Sequence, residues 1–339
     1  MRISNCCPAA AAVLFFSTHL VQASSDQLPS GGCRSTLRTD IVPGGPSQNF
    51  TFESEAGGGQ RHYLLHVPAS YAVGEPAPLI LCFHGKGQPA SEIEEHTQLS
   101  NPHFNKDAVV VYPQGVKSQW TGDPTAPPLR KVNDVEFTAD LLDHIESRYC
   151  IDRSRSYATG FSNGGGLVGL LACNDALAQR IAAFAASSGA YYKDDALNQP
   201  LFGDCQADRV PTPFLEFHGS TDPVIHYDGD STPDGPTYNP LEYVQRFCSD
   251  DAEGNAKKSY GEDVEEYYLS CEGVQDAVQH YWIKDFGHGW PTTTKLSNDD
   301  QRYGPTYFNA TPIVMRFFRR WSLIERPDVQ VQAEGKDEL

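Results

Sequence analysis

The sequence predicts an α/β fold, a mostly parallel sheet with helices on both faces. Three observations predict it. From about residue 78 onward, short apolar runs alternate with segments of helical periodicity. The runs 78–83 and 108–112 are continuously apolar, as strands covered on both faces must be. Finally, Gly160-Phe161-Ser162-Asn163-Gly164 stands between a short strand and an apolar helix. A turn of that kind strains its middle residue, so the positions two before and two after must be small. Gly160 and Gly164 meet that demand, and Gly165 and Gly166 let the helix approach the strand. The Ser162 hydroxyl then stands at a helix N-terminus, where free N–H groups and the dipole favour developing negative charge. A Gly-rich turn whose serine only caps a helix would show the same five residues. The strand before and the apolar helix after favour a nucleophile.

In chain order, residues 1–23 read as a secretory leader: Arg2, an apolar core at 9–16, and Val21-Gln22-Ala23 as the cleavage site. Ser17, Thr18 and His19 interrupt the apolar run too early for a membrane span. Residues 24–327 form one large domain and 328–339 a polar tail. Segments 49–53 and 61–67 alternate apolar and polar side chains around Gly57-Gly58-Gly59, an antiparallel pair with a glycine turn. Strand 78–83 ends at His84-Gly85-Lys86-Gly87. Residues 91–99 are a weak helix, and strand 108–112 closes at Pro113-Gln114-Gly115. Apolar residues at 135, 137, 141, 142 and 145 space a helix over 135–149. The elbow strand is 157–159 and its helix 167–177. An apolar run at 181–186 precedes Ser187-Ser188-Gly189. Strand 213–217, helix 241–247, strand 278–283 and a closing helix at 312–321 follow. The polar stretches 228–240 and 250–273 read as surface loops. No internal repeat and no Ser/Thr/Pro-rich linker marks a second module.

The 339-residue chain carries a formal net charge of −18. Such a surface argues against nucleic acid and anionic membranes as partners. Cys6 and Cys7 lie in the leader. Cys33, Cys82, Cys150, Cys173, Cys205, Cys248 and Cys271 remain, an odd set expected to pair in an oxidising compartment. Cys82, in the apolar strand, is the one expected to stay free. None forms a C-x-x-C pair, so no zinc site is expected. Asn49-Phe50-Thr51 and Asn309-Ala310-Thr311 are glycosylation sequons, the second weakened by Pro312. The chain ends Lys336-Asp337-Glu338-Leu339, the retrieval address of the endoplasmic reticulum. Leader and address together place the chain in the secretory pathway, secreted or retained.

A nucleophilic serine needs a base and an acid to orient that base. In hydrolases built on such an elbow the order is serine, acid, histidine, each after a later strand. Asp222 follows the strand ending at His218-Gly219, and His288 lies between Gly287 and Gly289 after the next strand. Taken singly, Asp222 before Pro223 could serve an Asx-turn, and His288 could be an ordinary loop histidine. Asp285 is the rival acid. His218 is the rival base, though it precedes the acid in the chain. Two backbone N–H groups should form the oxyanion hole, one from Asn163 and one from the loop at 84–87, through Lys86. Trp120, Tyr191, Tyr192, Tyr227 and Trp290 cluster on predicted site loops, and any one could equally be packing. His84, Trp120, Tyr227 and Trp290 are taken as candidates to line a substrate cleft.

The motifs Gly32-Cys33, Phe83-His84-Gly85, Pro113-Gln114-Gly115, Gln119-Trp120, 134–142, Tyr149-Cys150-Ile151-Asp152, 159–165, Leu171-Ala172-Cys173, His218-Gly219-Ser220-Thr221-Asp222 and Gly287-His288-Gly289-Trp290-Pro291 occur in that order. In them the chain resembles fungal feruloyl esterases of the type C and D group. These belong to the wider set that includes carbohydrate esterase family one and polyhydroxybutyrate depolymerase-like esterases. The resemblance implies a disulfide-bonded α/β-hydrolase fold with Ser162, His288 and Asp222 as catalytic triad. It also implies hydrolysis of feruloyl esters of arabinoxylan, or of small phenolic esters, without metal or organic cofactor. The family's six recurring cysteines fall on Cys33, Cys150, Cys173, Cys205, Cys248 and Cys271. Pairings 173–205, 248–271 and 33–150 are expected from that match. Asn163 replaces the aromatic usual at the elbow. A monomer is expected, with the retrieval receptor as its one protein partner. Two other readings stand beside this one: an acetylxylan esterase or polyhydroxybutyrate depolymerase-like esterase, and a non-catalytic luminal binding protein on a hydrolase scaffold.

Overall fold

A computed structural model describes residues 27–194, 201–203, 205, 209–229, 235–248, 253–260, 263–271, 273–293 and 308–324. The expected leader at 1–23, the expected tail from 328 and Lys336-Asp337-Glu338-Leu339 lie outside the described residues.

A single sheet of ten strands organises the chain, in the order β1-β2-β4-β3-β5-β6-β7-β10-β9-β8. Its centre is parallel: β4 (Val109–Pro113), β3 (Ala77–Phe83), β5 (Ile151–Phe161), β6 (Ala183–Ser187), β7 (Phe214–Gly219) and β10 (Val274–Ile283). Every residue of β3, β4, β6 and β7 is buried, which is why β3 and β4 read as nearly unbroken apolar runs. On one edge β1 (Gln48–Ser54) and β2 (Gly59–His66) run antiparallel through the Gly-rich turn. Between strands lie α1 (Ala90–Thr97), α2 (Asp134–Glu146), α3 (Asn163–Ala172), α4 (Asp175–Ala178) and α5 (Pro240–Gln245), and α6 (Ala310–Arg319) follows the last described strand. Asn133 caps α2 by accepting the Val135 and Glu136 N–H groups. No helix among the described residues is long and apolar enough to cross a membrane.

Most expected elements are present with shifted ends. The elbow strand is longer than the expected 157–159, and α3 begins at once after Ser162 instead of at 167. The larger difference lies at 250–273, which was expected to be a surface loop. It contains β8 (Glu253–Tyr260) and β9 (Val264–Cys271), antiparallel to each other, with β9 pairing β10. In β9, Val264, Glu266, Leu269 and Cys271 are buried, in near alternation with partly exposed residues. An antiparallel strand near the end of a sheet needs only one apolar face, so a half-charged segment suffices. The stretch 228–240 is also not simply a loop. Thr237 is fully buried and bridges Tyr192, and Pro240 opens α5.

Disulfides join Cys33 to Cys150, Cys173 to Cys205 and Cys248 to Cys271, and Cys82 is a buried free thiol. Of the two sequons, Asn49 is exposed on β1, whereas the Asn309 side chain accepts the Thr311 N–H and caps α6.

The Cys33–Cys150 bridge spans 117 residues and ties the turn at Gly31–Arg34 to the start of β5. Replacing both cysteines by alanine should cost about 2–5 kcal/mol, read as a lowered midpoint in denaturant. An unchanged midpoint would mean that the loop it closes is already ordered in the unfolded chain.

Candidate active site

Ser162 is the hinge between β5 and α3, with φ 55° and ψ −121°. That conformation is strained for a residue with a side chain and persists because its surroundings fix it. The Ser162 N–H donates to Ser187 O at 2.9 Å, while Ser162 O accepts from Gly166 and Ala190. The flanking glycines are required by space. A Cβ on Gly164 would lie 2.3 Å from Phe83 O, and one on Gly160 would lie 2.5 Å from Gly164 O.

His288 Nε2 lies 2.8 Å from Ser162 Oγ, and His288 Nδ1 lies 2.8 Å from Asp222 Oδ2. The three groups are separated by 126 and 66 residues along the chain, yet all three are buried. Asp222 Oδ1 accepts the N–H groups of Val224 and Ile225 at 2.9 and 2.8 Å. Burial alone would push the Asp222 carboxyl up. The His288 ring, His218 and the Ile225 N–H more than offset it and hold the carboxyl at about 2. The His288 loop is tied down where Ser187 Oγ donates to Gly289 O at 2.7 Å.

The rivals fall elsewhere. Asp285 is exposed and its N–H donates to Ser220 Oγ, so it does not face the ring. His218 points beneath Asp222, toward Glu216 and Ile225 O.

The expected oxyanion donors flank the hydroxyl's helix. Among the described residues neither the Asn163 nor the Lys86 N–H meets a protein acceptor. The preceding N–H, that of Gly85, is taken by Gln88 Oε1 at 2.8 Å. The Lys86 ammonium lies 3.2 Å from Asp123 Oδ2, so only its backbone is available for the hole. The Asn163 side chain has a separate task. Its Oδ1 accepts the Trp120 N–H at 2.7 Å and its Nδ2 donates to Trp120 O at 3.2 Å. Below them, Arg61 pairs with Asp134 at 2.9 Å in full burial, and Asp134 Oδ2 accepts the Thr121 N–H. This chain of contacts fixes the floor on which the elbow rests.

Several expected cleft residues belong to that floor instead. Trp120 is fully buried, and its indole N–H donates to His84 O at 2.8 Å. His84 is also fully buried. Its Nδ1 donates to Gly85 O, and its Nε2 accepts from Gly115 at 3.0 Å. Burial holds that ring at about 4, and it stays neutral. Trp290 is buried and donates to Thr311 Oγ1, whose hydroxyl in turn donates to Thr97 O. Tyr191 stacks on Tyr243 inside the core, and Tyr192 is buried beside it. Tyr227 alone is half-exposed, and its hydroxyl lies 3.1 Å from His280 Nε2. Large aromatic residues on loops near a site are as readily recruited to packing as to binding, and no pattern in the sequence separates the two. Gln88, the Asn163 amide and Glu216 carried no sequence signal, since polar support is recognised only by what it touches.

No family model matches the chain. A putative esterase, NocK, of Nocardia uniformis subsp. tsuyamanensis is 31% identical over 205 residues, covering 56% of this chain and 57% of that protein. Feruloyl esterase C of Emericella nidulans is 30% identical over 184 residues, covering 51% and 58%. The bifunctional acetylxylan esterase/xylanase XynS20E of Neocallimastix patriciarum is 30% identical over 176 residues, covering 52% and 23%. The chain thus spans well under two thirds of the length of these curated relatives. Among solved structures, an acetyl xylan esterase from Aspergillus awamori superposes with a TM-score of 0.52 at 15% identity, over 74% of this chain and 96% of that one. A thermostable esterase gives 0.51 at 17%, over 81% and 63%. The fold is that of the α/β-hydrolases.

Because the Asp222 carboxyl is held at about 2 against a usual 3.8, its stabilising effect is complete above pH 4 and is lost as pH falls toward 2. Wild type should therefore exceed Asp222→Asn in stability by about 2 kcal/mol near pH 5, with the gap closing by pH 2. Chemical denaturation across that range checks it; a gap constant with pH would contradict the assigned ionisation.

Proposed function

We propose that this chain is a serine carboxylic-ester hydrolase of the secretory pathway, acting on feruloyl (hydroxycinnamoyl) esters of plant cell-wall arabinoxylan. One observation carries the reading: the unbroken line from Ser162 Oγ through His288 to Asp222, each step 2.8 Å. Ser162 Oγ attacks the ester carbonyl while His288 Nε2 takes its proton. Asp222 holds Nδ1–H and stabilises the imidazolium. The oxyanion forms toward the N–H groups of Asn163 and Lys86, each donor worth about 3–4 kcal/mol to the transition state. His288 then gives its proton to the leaving sugar alcohol, and the bond from carbonyl carbon to that oxygen breaks. Water, deprotonated by His288, cleaves the acyl-enzyme and restores the serine. No residue in this sequence of steps requires a metal or organic cofactor. The similarity to a feruloyl esterase C supports the substrate class. The leader and the terminal Lys336-Asp337-Glu338-Leu339 support the compartment.

A second reading, an acetylxylan esterase, is favoured by two observations. One relative is named an acetylxylan esterase/xylanase. In addition, Trp120 and Trp290, the rings expected to clasp a phenolic acyl group, are packed inside the protein.

Ser162→Ala should lower kcat on methyl ferulate by at least about 10⁴-fold with the fold intact; near-normal turnover would reject the mechanism. A panel of methyl hydroxycinnamates, acetylated xylan and p-nitrophenyl acetate separates the two substrates, and preference for short acetyl esters would select the second. Wild type should also label with a fluorophosphonate probe; absence of labelling would favour a non-catalytic binding protein.

A further inference from the structure

Beneath the Ser162–His288–Asp222 line lies a second charged group that ester cleavage does not itself employ. Glu216 and His218 stand on β7 with side chains fully buried. His218 Nδ1 lies 3.1 Å from Glu216 Oε1, and Nε2 lies 2.8 Å from Ile225 O. The Ile225 oxygen has no proton to give, so Nε2 carries one. Glu216 Oε1 also accepts the Gly189 N–H at 3.3 Å. Its other oxygen lies 2.8 Å from His280 Nδ1, an ion-pair distance without hydrogen-bond alignment. Glu216 Oε1 already accepts the Gly189 N–H, and as a carboxylate oxygen it accepts from His218 Nδ1 as well, which makes Nδ1 a second donor. Only an imidazolium satisfies both contacts. The Nε2 edge of that ring lies 3.5 Å from Asp222 Oδ2, the oxygen that receives His288 Nδ1–H. One carboxylate oxygen is therefore shared between two imidazole rings.

We propose that His218, kept as an imidazolium by Glu216, is a positioning residue that fixes the Asp222 carboxylate toward His288 and tempers the negative field reaching that ring. This inference rests on the ester-hydrolase reading above. Burial alone would push His218 down and Glu216 up. Their mutual attraction more than offsets it, holding His218 above the usual histidine range and Glu216 below the usual carboxylate range. The other groups facing the pair are Asp222 and Tyr227 from the loop after β7, His280 from β10, and Tyr191 after β6. Tyr267 of β9 packs on His280. Among the described residues no set of three or more His, Cys, Asp or Glu side chains is arranged to hold a metal.

The sign follows from Coulomb's law. A positive ring beside Asp222 opposes a second positive charge on His288. Without it, protonated His288 is favoured and the free base is lost at higher pH.

Glu216→Gln removes the ring's counter-ion while keeping its shape, and the buried ring then sheds a proton. The double variant Glu216→Gln/His218→Gln removes the pair together, so that no carboxylate is stranded in the interior. With p-nitrophenyl acetate as substrate, both should move the acid limb of kcat/KM upward by about one pH unit and lower kcat by about tenfold. KM should stay within about twofold, because neither residue touches substrate. Activity scaled down equally at all pH, with the limb unmoved, would overturn the inference and leave a purely structural pair. Neutron diffraction of the unaltered protein near pH 7 needs no variant to fold. Deuterium on both ring nitrogens of His218 is expected, and deuterium on only one would overturn the proposal. Ser162→Ala keeps the two readings apart. Activity retained there sinks the esterase reading, whereas its loss, together with an unmoved limb in Glu216→Gln, sinks only the role of His218.

Discussion

The constraint on which the rest depends is the distance between α3 and the strands that feed it. The helix starts directly after Ser162, with Gly164 against the carbonyls of Phe83 and His84 and Gly160 against the carbonyl of Gly164. No side chain fits at either position. That closeness holds the Ser162 backbone in its strained turn. It also sets the Asn163 N–H beside the loop that carries Lys86. If helix and sheet separated by the width of a methyl group, the hydroxyl, the two N–H groups and the His288 ring would no longer converge.

The two halves of the sheet contribute different things to that point. Strands β3 and β5 supply the hydroxyl and the N–H groups, steadied from below by Trp120, the Asn163 amide and the buried Arg61–Asp134 pair. Strands β7 and β10 supply the charges. Glu216, His218, Asp222 and His288 form an alternating series of acid and base along the ends of these two strands. A buried ion pair is costly unless each member is matched. Here each carboxylate is flanked by two imidazoles or by backbone N–H groups, and the site's order follows from that matching. β6 joins the halves, since Ser187 accepts the Ser162 N–H through its carbonyl and binds Gly289 through its hydroxyl.

What could be read beforehand, and what could not, follows from the range of the interaction concerned. Ser162, Asp222 and His288 each follow a strand recognisable from local patterning, and their order in the chain is set by the way a doubly wound sheet grows. Trp120 and Trp290, cleft candidates by sequence, lie in the core because a ring's burial depends on segments far away in sequence, here His84 and Thr311. Strands β8 and β9 read as loop in the sequence because β9's buried face is only about every second residue, and its charged face dominates its polarity. The sequence marks His218 only as a rival base; its carboxylate partner two residues earlier has meaning only when both point inward.

The sequence by itself determined the class of the fold, the elbow with its small neighbours, the order of serine, acid and histidine, and which thiol would be left unpaired. These depend on periodicity, glycine and chain order, which are local. Only the tertiary structure decided which aromatic rings serve the core, that the antiparallel strands close the far edge, and that a second imidazole shares the Asp222 carboxylate. Those outcomes depend on which side chains meet across the sheet, and linear order does not encode contact between residues that distant.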